Sequence, residues 1–181
     1  GLDGNAGCDG DPPYDTVMLP CTGLQGRPKD YTHDTFTILF ENTRYSPLRR
    51  KWNALDKGTI RVNTTLAKQI ANWVILYSPV QMASDMIEHY EDHPAFQFFR
   101  DFDADCDWSR ALAGEPGEFV AVVRRAGDRC FLGAATNEEA RTLTLALDFL
   151  EPGRRYRATI YAYRPAAHCQ RHPPTLHIPA R

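Results

Sequence analysis

The sequence predicts an α+β protein in which helices come first and antiparallel strands follow. Two observations carry this: apolar residues recur at three- and four-residue spacing between Leu66 and Phe102, and after Asp107 the spacing changes to every second residue. A third sets the class, since 43% of the 181 residues are hydrophobic, 24% charged and 11% aromatic, the balance of a chain that folds around a core.

Residues 1–35 are crowded with Gly, Pro and Asp; their one apolar run, Val17-Met18-Leu19 before Pro20, reads as loop, short strand, loop. A chain that opens in such a loop, with neither a basic n-region nor an apolar h-region, is expected to follow further polypeptide. Residues 47–58 are basic and polar and read as a surface connection. Asn63 or Thr64 is placed to cap a helix whose face is Leu66, Ile70, Trp73, Val74 and Tyr77. Ser78-Pro79 reads as the N-cap and first position of a second helix, continued by Val80, Met82, Ala83, Met86, Ile87 and Tyr90. His93-Pro94 starts a third, short helix through Phe96, Phe99 and Phe102.

The one domain boundary falls between residues 103 and 104, and there is no internal repeat. Beyond it, Phe119, Ala121 and Val123 alternate with Val120 and Val122, turn at Ala126-Gly127-Asp128 and return through Cys130 to Gly133 as a hairpin. A second hairpin is expected from Leu143, Leu145, Leu147 and Phe149 through the turn Glu151-Pro152-Gly153 into Tyr156, Ala158, Ile160 and Ala162, with a Pro-rich tail after it.

A net charge of −2 and a pI near 6.3, with dispersed arginines, provide no field for a polyanion, so nucleic acid is not an expected partner. The mainly apolar stretch from Ile70 to Met86 is interrupted by Asn72, Ser78, Pro79, Gln81, Ser84 and Asp85, so no bilayer span is expected there. Five cysteines (Cys8, Cys21, Cys106, Cys130, Cys169) include no C-x-x-C pair and no short spacing to histidine, which argues against structural zinc. Their odd number leaves at least one thiol unpaired. Neither G-x-S-x-G, a P-loop nor G-x-G-x-x-G occurs.

Carboxylates suit acetal cleavage, and Asp3, Asp9, Asp11 and Asp15 gather in the opening loop. Calcium would also take such oxygens, but the string lacks EF-hand alternation, and Asp and Gly are ordinary turn residues. His89 and His93 sit four apart, yet Pro94 starts a new helix there, so these, like His168, His172 and His177, read as surface or capping residues. Tyr90, Phe96, Phe98, Phe99, Phe102 and Trp108 are expected in the core in preference to a sugar-stacking platform.

The strings Arg61-Val-Asn-Thr-Thr-Leu-Ala-Lys-Gln-Ile70, Tyr77-Ser-Pro-Val-Gln-Met-Ala-Ser-Asp85 and His93-Pro-Ala-Phe-Gln-Phe98 resemble glycoside hydrolase family 97. The likeness continues through Asp107-Trp108, Gly114-Glu-Pro-Gly-Glu118, Phe131-Leu-Gly133, Ala140-Arg-Thr-Leu-Thr144 and Leu147-Asp-Phe-Leu150, and back to Gly10-Asp-Pro-Pro13 and Asp30-Tyr-Thr32. This resemblance implies that residues 1–103 are the C-terminal portion of a truncated (β/α)8 barrel and residues 104–181 a small antiparallel β-sandwich domain. It further implies calcium-dependent hydrolysis of α-glucosides with inversion or α-galactosides with retention, an oligosaccharide substrate, a homo-oligomer, and a periplasmic or secreted bacterial location.

Most of the active site is then expected upstream, and the isolated half-barrel is expected to be marginal or aggregation-prone because its strand edges are uncovered. In the family a general-acid Glu that approaches the calcium follows the Pro-Pro of a G-N-P-P-E-H motif. Here the string reads Gly10-Asp-Pro-Pro-Tyr14-Asp15, so Tyr14 stands at the acid position, and a phenol with a pKa of about 10 replaces a carboxylic acid poorly. Asp15 is one residue off. L-P-F-T-R becomes Leu19-Pro-Cys-Thr-Gly23, D-Y-T-P-G becomes Asp30-Tyr-Thr-His-Asp34, and Cys169 stands where an aromatic is expected. Either the sequence has decayed into a non-catalytic relative or fragment, the favoured explanation of these departures, or the leading segment is shifted and a nearby Asp serves. The chain reads first as a hydrolase fragment that is inactive alone, and alternatively as a non-catalytic structural or oligomerisation module of a degenerate member. No catalytic, cofactor or metal residue is assigned.

Overall fold

The computed structural model describes Val17, Met18, Pro20, Phe36 and residues 32–33, 39–40, 60–61, 65–83, 85–162 and 175–179. Two short strands, β1 (Thr32–His33) and β2 (Leu39–Phe40), precede β3 (Ile60–Arg61) and helix α1 (Leu66–Ile75). Then come β4 (Met82–Ala83), α2 (Ile87–Tyr90) and α3 (Phe96–Asp101). The β half holds β5 (Trp108–Glu115), β6 (Phe119–Ala126), β7 (Arg129–Thr136), β8 (Arg155–Thr159) and β9 (Thr175–Pro179).

Helix α1 is capped by neither Asn63 nor Thr64 but by the next residue, because the Thr65 hydroxyl accepts the Lys68 N–H at 3.2 Å. Its expected face is real: Ile70, Val74 and Ile75 are buried. The expected second helix from Ser78 does not form. The Ser78 hydroxyl bonds the Val80 N–H at 3.2 Å and the Val80 carbonyl at 2.5 Å, while the Gln81 amide donates to the Ser78 carbonyl at 3.1 Å. These local bonds satisfy backbone groups that a helix would need. Met82–Ala83 instead pairs in parallel with β1, and only Ile87–Tyr90 is helical. Val17, Met18 and Pro20 are helical where a short strand was expected. A short apolar run does not distinguish the two, and here burial of Val17 against Ile75 and Leu76 accompanies the helical form.

In the β half, β5, β6 and β7 form an antiparallel three-stranded sheet in chain order. Glu115-Pro116-Gly117-Glu118 joins the first pair with Gly117 at φ 79° and the Glu118 N–H on the Glu115 carbonyl at 2.9 Å, the geometry that Pro-Gly favours in a type II turn. The expected β6–β7 hairpin turns through Gly127 at φ 57°. The second expected hairpin is corrected: residues 141–147 belong to no strand, and β8 pairs with β9 in the tail. The half-buried Leu143 and Leu145 account for the alternation. Alternation reports which face is covered, not which backbone is the partner.

Both faces of the sheet are covered. Val120, Val122, Arg124, Phe131 and Gly133 point to α1 and the aromatic cluster, whereas Ala121 and Val123 are fully buried on the other face. Ion pairs Arg110–Asp148 and Arg125–Glu151 tie the segment after residue 147 across that second face. As expected, most of these aromatics form core: Phe36, Tyr90 and Phe98 are buried, and Trp73, Phe96, Phe99, Phe102, Phe131 and Tyr161 pack on them, whereas the half-buried Trp108 belongs to neither core cluster. Phe102 meets Phe131 at 5.0 Å between ring centroids, so one core runs across the 103/104 boundary. That boundary marks a change of secondary structure; packing continues through it.

Candidate functional site

Tyr14 and Asp15 lie outside the described residues, as do Asp3, Asp9, Asp11, His168, His172, Cys8, Cys21 and Cys169, and only the backbone of His177 is described, in β9. Among the described residues no three His, Cys, Asp or Glu side chains converge on a metal-sized site, so they do not fit a calcium centre, which takes six to eight oxygens. His89 and His93 have separate partners. His89 Nδ1 meets Asp85 at 2.5 Å, while His93 Nδ1 accepts the Ala95 N–H at 3.1 Å with its ring edge-on to Phe36 at 4.7 Å. Burial holds the His93 pKa below its ordinary value, consistent with a neutral, accepting ring. Cys106 and Cys130 are free thiols whose pKa values burial raises, so neither is activated as a nucleophile.

The described residues instead converge on the junction between α1 and the sheet. Gly133 of β7 lets the helix approach closely, since a Cβ there would lie 2.8 Å from the Ala71 carbonyl oxygen and from the Val74 side chain. Arg124, 4% exposed, donates from Nε to the Val74 carbonyl and from Nη2 to the Ile75 carbonyl at 3.2 Å. Those carbonyls end α1, which has no basic residue in its own last turn, so the strand supplies the positive charge that a helix C-terminus favours. The guanidinium also lies 4.8 Å from the Tyr77 ring centroid. At the opposite end of the helix Lys68 Nζ donates to the Thr136 carbonyl at 3.2 Å, and burial lowers its pKa to about 8 against a raising influence from Glu138.

A second knot closes the end of the sheet. Arg141 reaches Glu118 at 3.0 Å and Glu139 at 3.2 Å through Nη2, and Thr136 Oγ1 at 2.9 Å and Asn137 Oδ1 at 2.5 Å through Nη1, binding the loop after β7 to the turn after β5. Sequence reasoning missed Arg124, Lys68 and Arg141. A signal existed for the first: Arg124 continues the parity of Val120 and Val122, and an arginine at a core-facing strand position implies a partner of opposite polarity. This is a site of assembly, in which buried cations and close packing hold the β half on the helices.

Residues 105–178 match the family model described as Glycosyl-hydrolase 97 C-terminal, oligomerisation. The chain is 28% identical over 149 residues to a retaining alpha-galactosidase of Bacteroides thetaiotaomicron, covering 82% of this chain and 21% of that protein. Solved structures of a glycoside hydrolase family 97 enzyme from Pseudoalteromonas sp. strain K8, complexed with panose and with acarbose, align at TM-score 0.77 and 34% identity over 96% of this chain and 26% of theirs. A beta-arabinopyranosidase structure, 18% identical with TM-score 0.55, shares the fold. The chain thus spans about a quarter or less of the length of these relatives. The sequence strings, the match of residues 105–178 to the C-terminal model and the alignment over nearly all of the chain together support its reading as a fragment of a glycoside hydrolase family 97 protein.

Proposed function

We propose that this chain forms the C-terminal part of a secreted or periplasmic, calcium-dependent α-glycoside hydrolase, and that it is inactive without the portion that precedes it in its relatives. In this reading residues 1–103 complete a catalytic (β/α)8 barrel acting on α-glucosides or α-galactosides, and residues 104–181 support it and mediate homo-oligomerisation. The observation that carries the reading is coverage: 96% of this chain aligns with 26% of a family enzyme. The pairing of β1 and β4 adds support, because parallel neighbours joined by a crossover that includes α1 are what a barrel repeat requires. The purified chain should release no p-nitrophenol from p-nitrophenyl α-glucoside or α-galactoside with or without calcium. Calcium-dependent release would overturn the incomplete-site reading.

A second reading, a non-catalytic structural or oligomerisation module of a degenerate member, is favoured by Tyr14 at the general-acid position. Joined to the preceding barrel portion of a relative, the Tyr14→Glu variant should exceed the Tyr14 form in kcat by about 100-fold or more, the lower range for a positioned general acid. Equal rates would show that another group protonates the leaving oxygen.

A further inference from the structure

Among the described residues, the outer edge of β5 is an open sheet edge. This strand ends the three-stranded sheet, five of its eight residues are exposed, and among the described residues its backbone makes, beyond its pairing with β6, only the turn bond from Glu118 to Glu115. An edge strand presents unpaired N–H and C=O groups to any other strand, and natural edges are guarded by charges and bulges. Both guards are present. Arg110 and Glu115 flank the uncharged run Ala111-Leu112-Ala113-Gly114, and a bulge interrupts the register between Ala111 and Ala113.

The bulge changes what the two charges can do. Five residues apart, Arg110 and Glu115 would face opposite sides of a regular strand. The extra residue restores their parity: Arg110 pairs with Val123, Ala113 with Ala121 and Glu115 with Phe119, all on one face. Arg110 and Glu115 therefore lie two rungs to either side of Ala113, with opposite charge. Such an edge is complementary to an antiparallel copy of itself. A two-fold axis at Ala113 sets Arg110 against the partner's Glu115, and by symmetry sets Glu115 against the partner's Arg110. A strand of any other pattern would meet at least one of these charges unpaired.

We propose that two copies of this chain associate through β5, edge to edge and antiparallel about Ala113, joining two three-stranded sheets into one of six strands. The proposal rests on the homo-oligomer reading above and names its surface. Arg110 already pairs with Asp148 within the chain, so on association its guanidinium lies between two carboxylates, an arrangement its five donors accommodate.

The test is light scattering and sedimentation over a dilution series of the full chain, comparing wild type, R110E, E115R and the double variant R110E/E115R. Each single reversal places two pairs of like charges across the axis and should weaken dimerisation about tenfold or more, whereas the double variant should recover most of the loss. Hydrogen exchange on the wild type reads the same edge without substitution: amides of residues 111–114 should gain protection as concentration rises. A dimer of equal strength in all four proteins, or with no concentration-dependent protection at those amides, overturns the β5 edge and leaves oligomerisation standing through another surface. Single reversals that weaken without rescue in the double variant overturn the register. A wild-type chain that stays monomeric throughout removes the oligomer reading and this proposal together.

Discussion

Arg124 occupies a strand position where its neighbours of the same parity, Val120 and Val122, are buried apolar residues. It is tolerated because its donors end on the last carbonyls of α1 and its face rests on Tyr77. Arg124→Met should therefore keep the packing volume and lose about 2–3 kcal/mol in urea unfolding, from two unsatisfied carbonyls and an uncompensated helix end. A loss under 0.5 kcal/mol would mean that water replaces the guanidinium. Asn72 is the converse case. It is fully buried in α1, and among the described residues neither its amide nitrogen nor its carbonyl oxygen has a hydrogen-bond partner. Leucine is similar in volume and carries no desolvation penalty, so Asn72→Leu should raise stability by about 1–2 kcal/mol. An unchanged or lower melting temperature would indicate a bound water or a partner that satisfies the amide.

Among the elements, α1 and β7 set the geometry of the molecule through one missing side chain. At Gly133 a methyl would meet backbone of α1, which cannot rotate away as a flexible side chain can. Gly133→Ala should cost about 1–3 kcal/mol and loosen the Arg124 contacts, readable as lost exchange protection at the Val74 and Ile75 end of the helix. A neutral substitution would show that the helix rides over the sheet without fixed register. Such elements were legible to different degrees for physical reasons. Helix α1 was visible because Leu66, Ile70, Trp73 and Val74 bury one face, and β6–β7 because Gly127 supplies the turn between alternating strands. Strand β5 was hidden by its own bulge, which breaks the two-residue period. The segment after Tyr77 kept helical spacing but lost the helix to Ser78 and Gln81, whose side chains bond locally. The β8–β9 pair depends on residues far apart in sequence, which no local pattern reports. The junction site was barely legible, since Lys68 and Arg141 look like ordinary surface charges until the sheet brings their acceptors close.

At the scale of the whole molecule, the titrating groups buried within and between its halves give stability a particular dependence on pH. Partial burial holds the His93 pKa below 6.5, so below that value the unfolded chain binds the proton more readily than the folded chain. Its contribution is therefore complete above pH 6.5 and is lost as pH falls toward the lowered folded value. Lys68 acts in the alkaline range: with its pKa lowered by burial from 10.5 to about 8, the unfolded chain again holds more protons between these values. Stability from this group thus rises with pH across that window. Cys106 and Cys130 oppose it, because burial raises their pKa values from 9.0 and the unfolded thiols ionise first, so stability falls above pH 9. Tyr161, raised by burial from 10.0, acts in the same sense. The raw alkaline profile therefore mixes opposing terms, and the expected result lies in differences between proteins measured side by side by calorimetry. The melting temperature of wild type relative to Lys68→Met should climb between about pH 8 and pH 10.5, while that of wild type relative to His93→Asn, which keeps a neutral acceptor for Ala95, should drop as pH falls below 6.5. If the first difference is flat, Lys68 is solvated in the folded chain and the contact to Thr136 does not hold the helix on the sheet. A flat second difference would mean that His93 is protonated as readily in the folded chain as in the unfolded one.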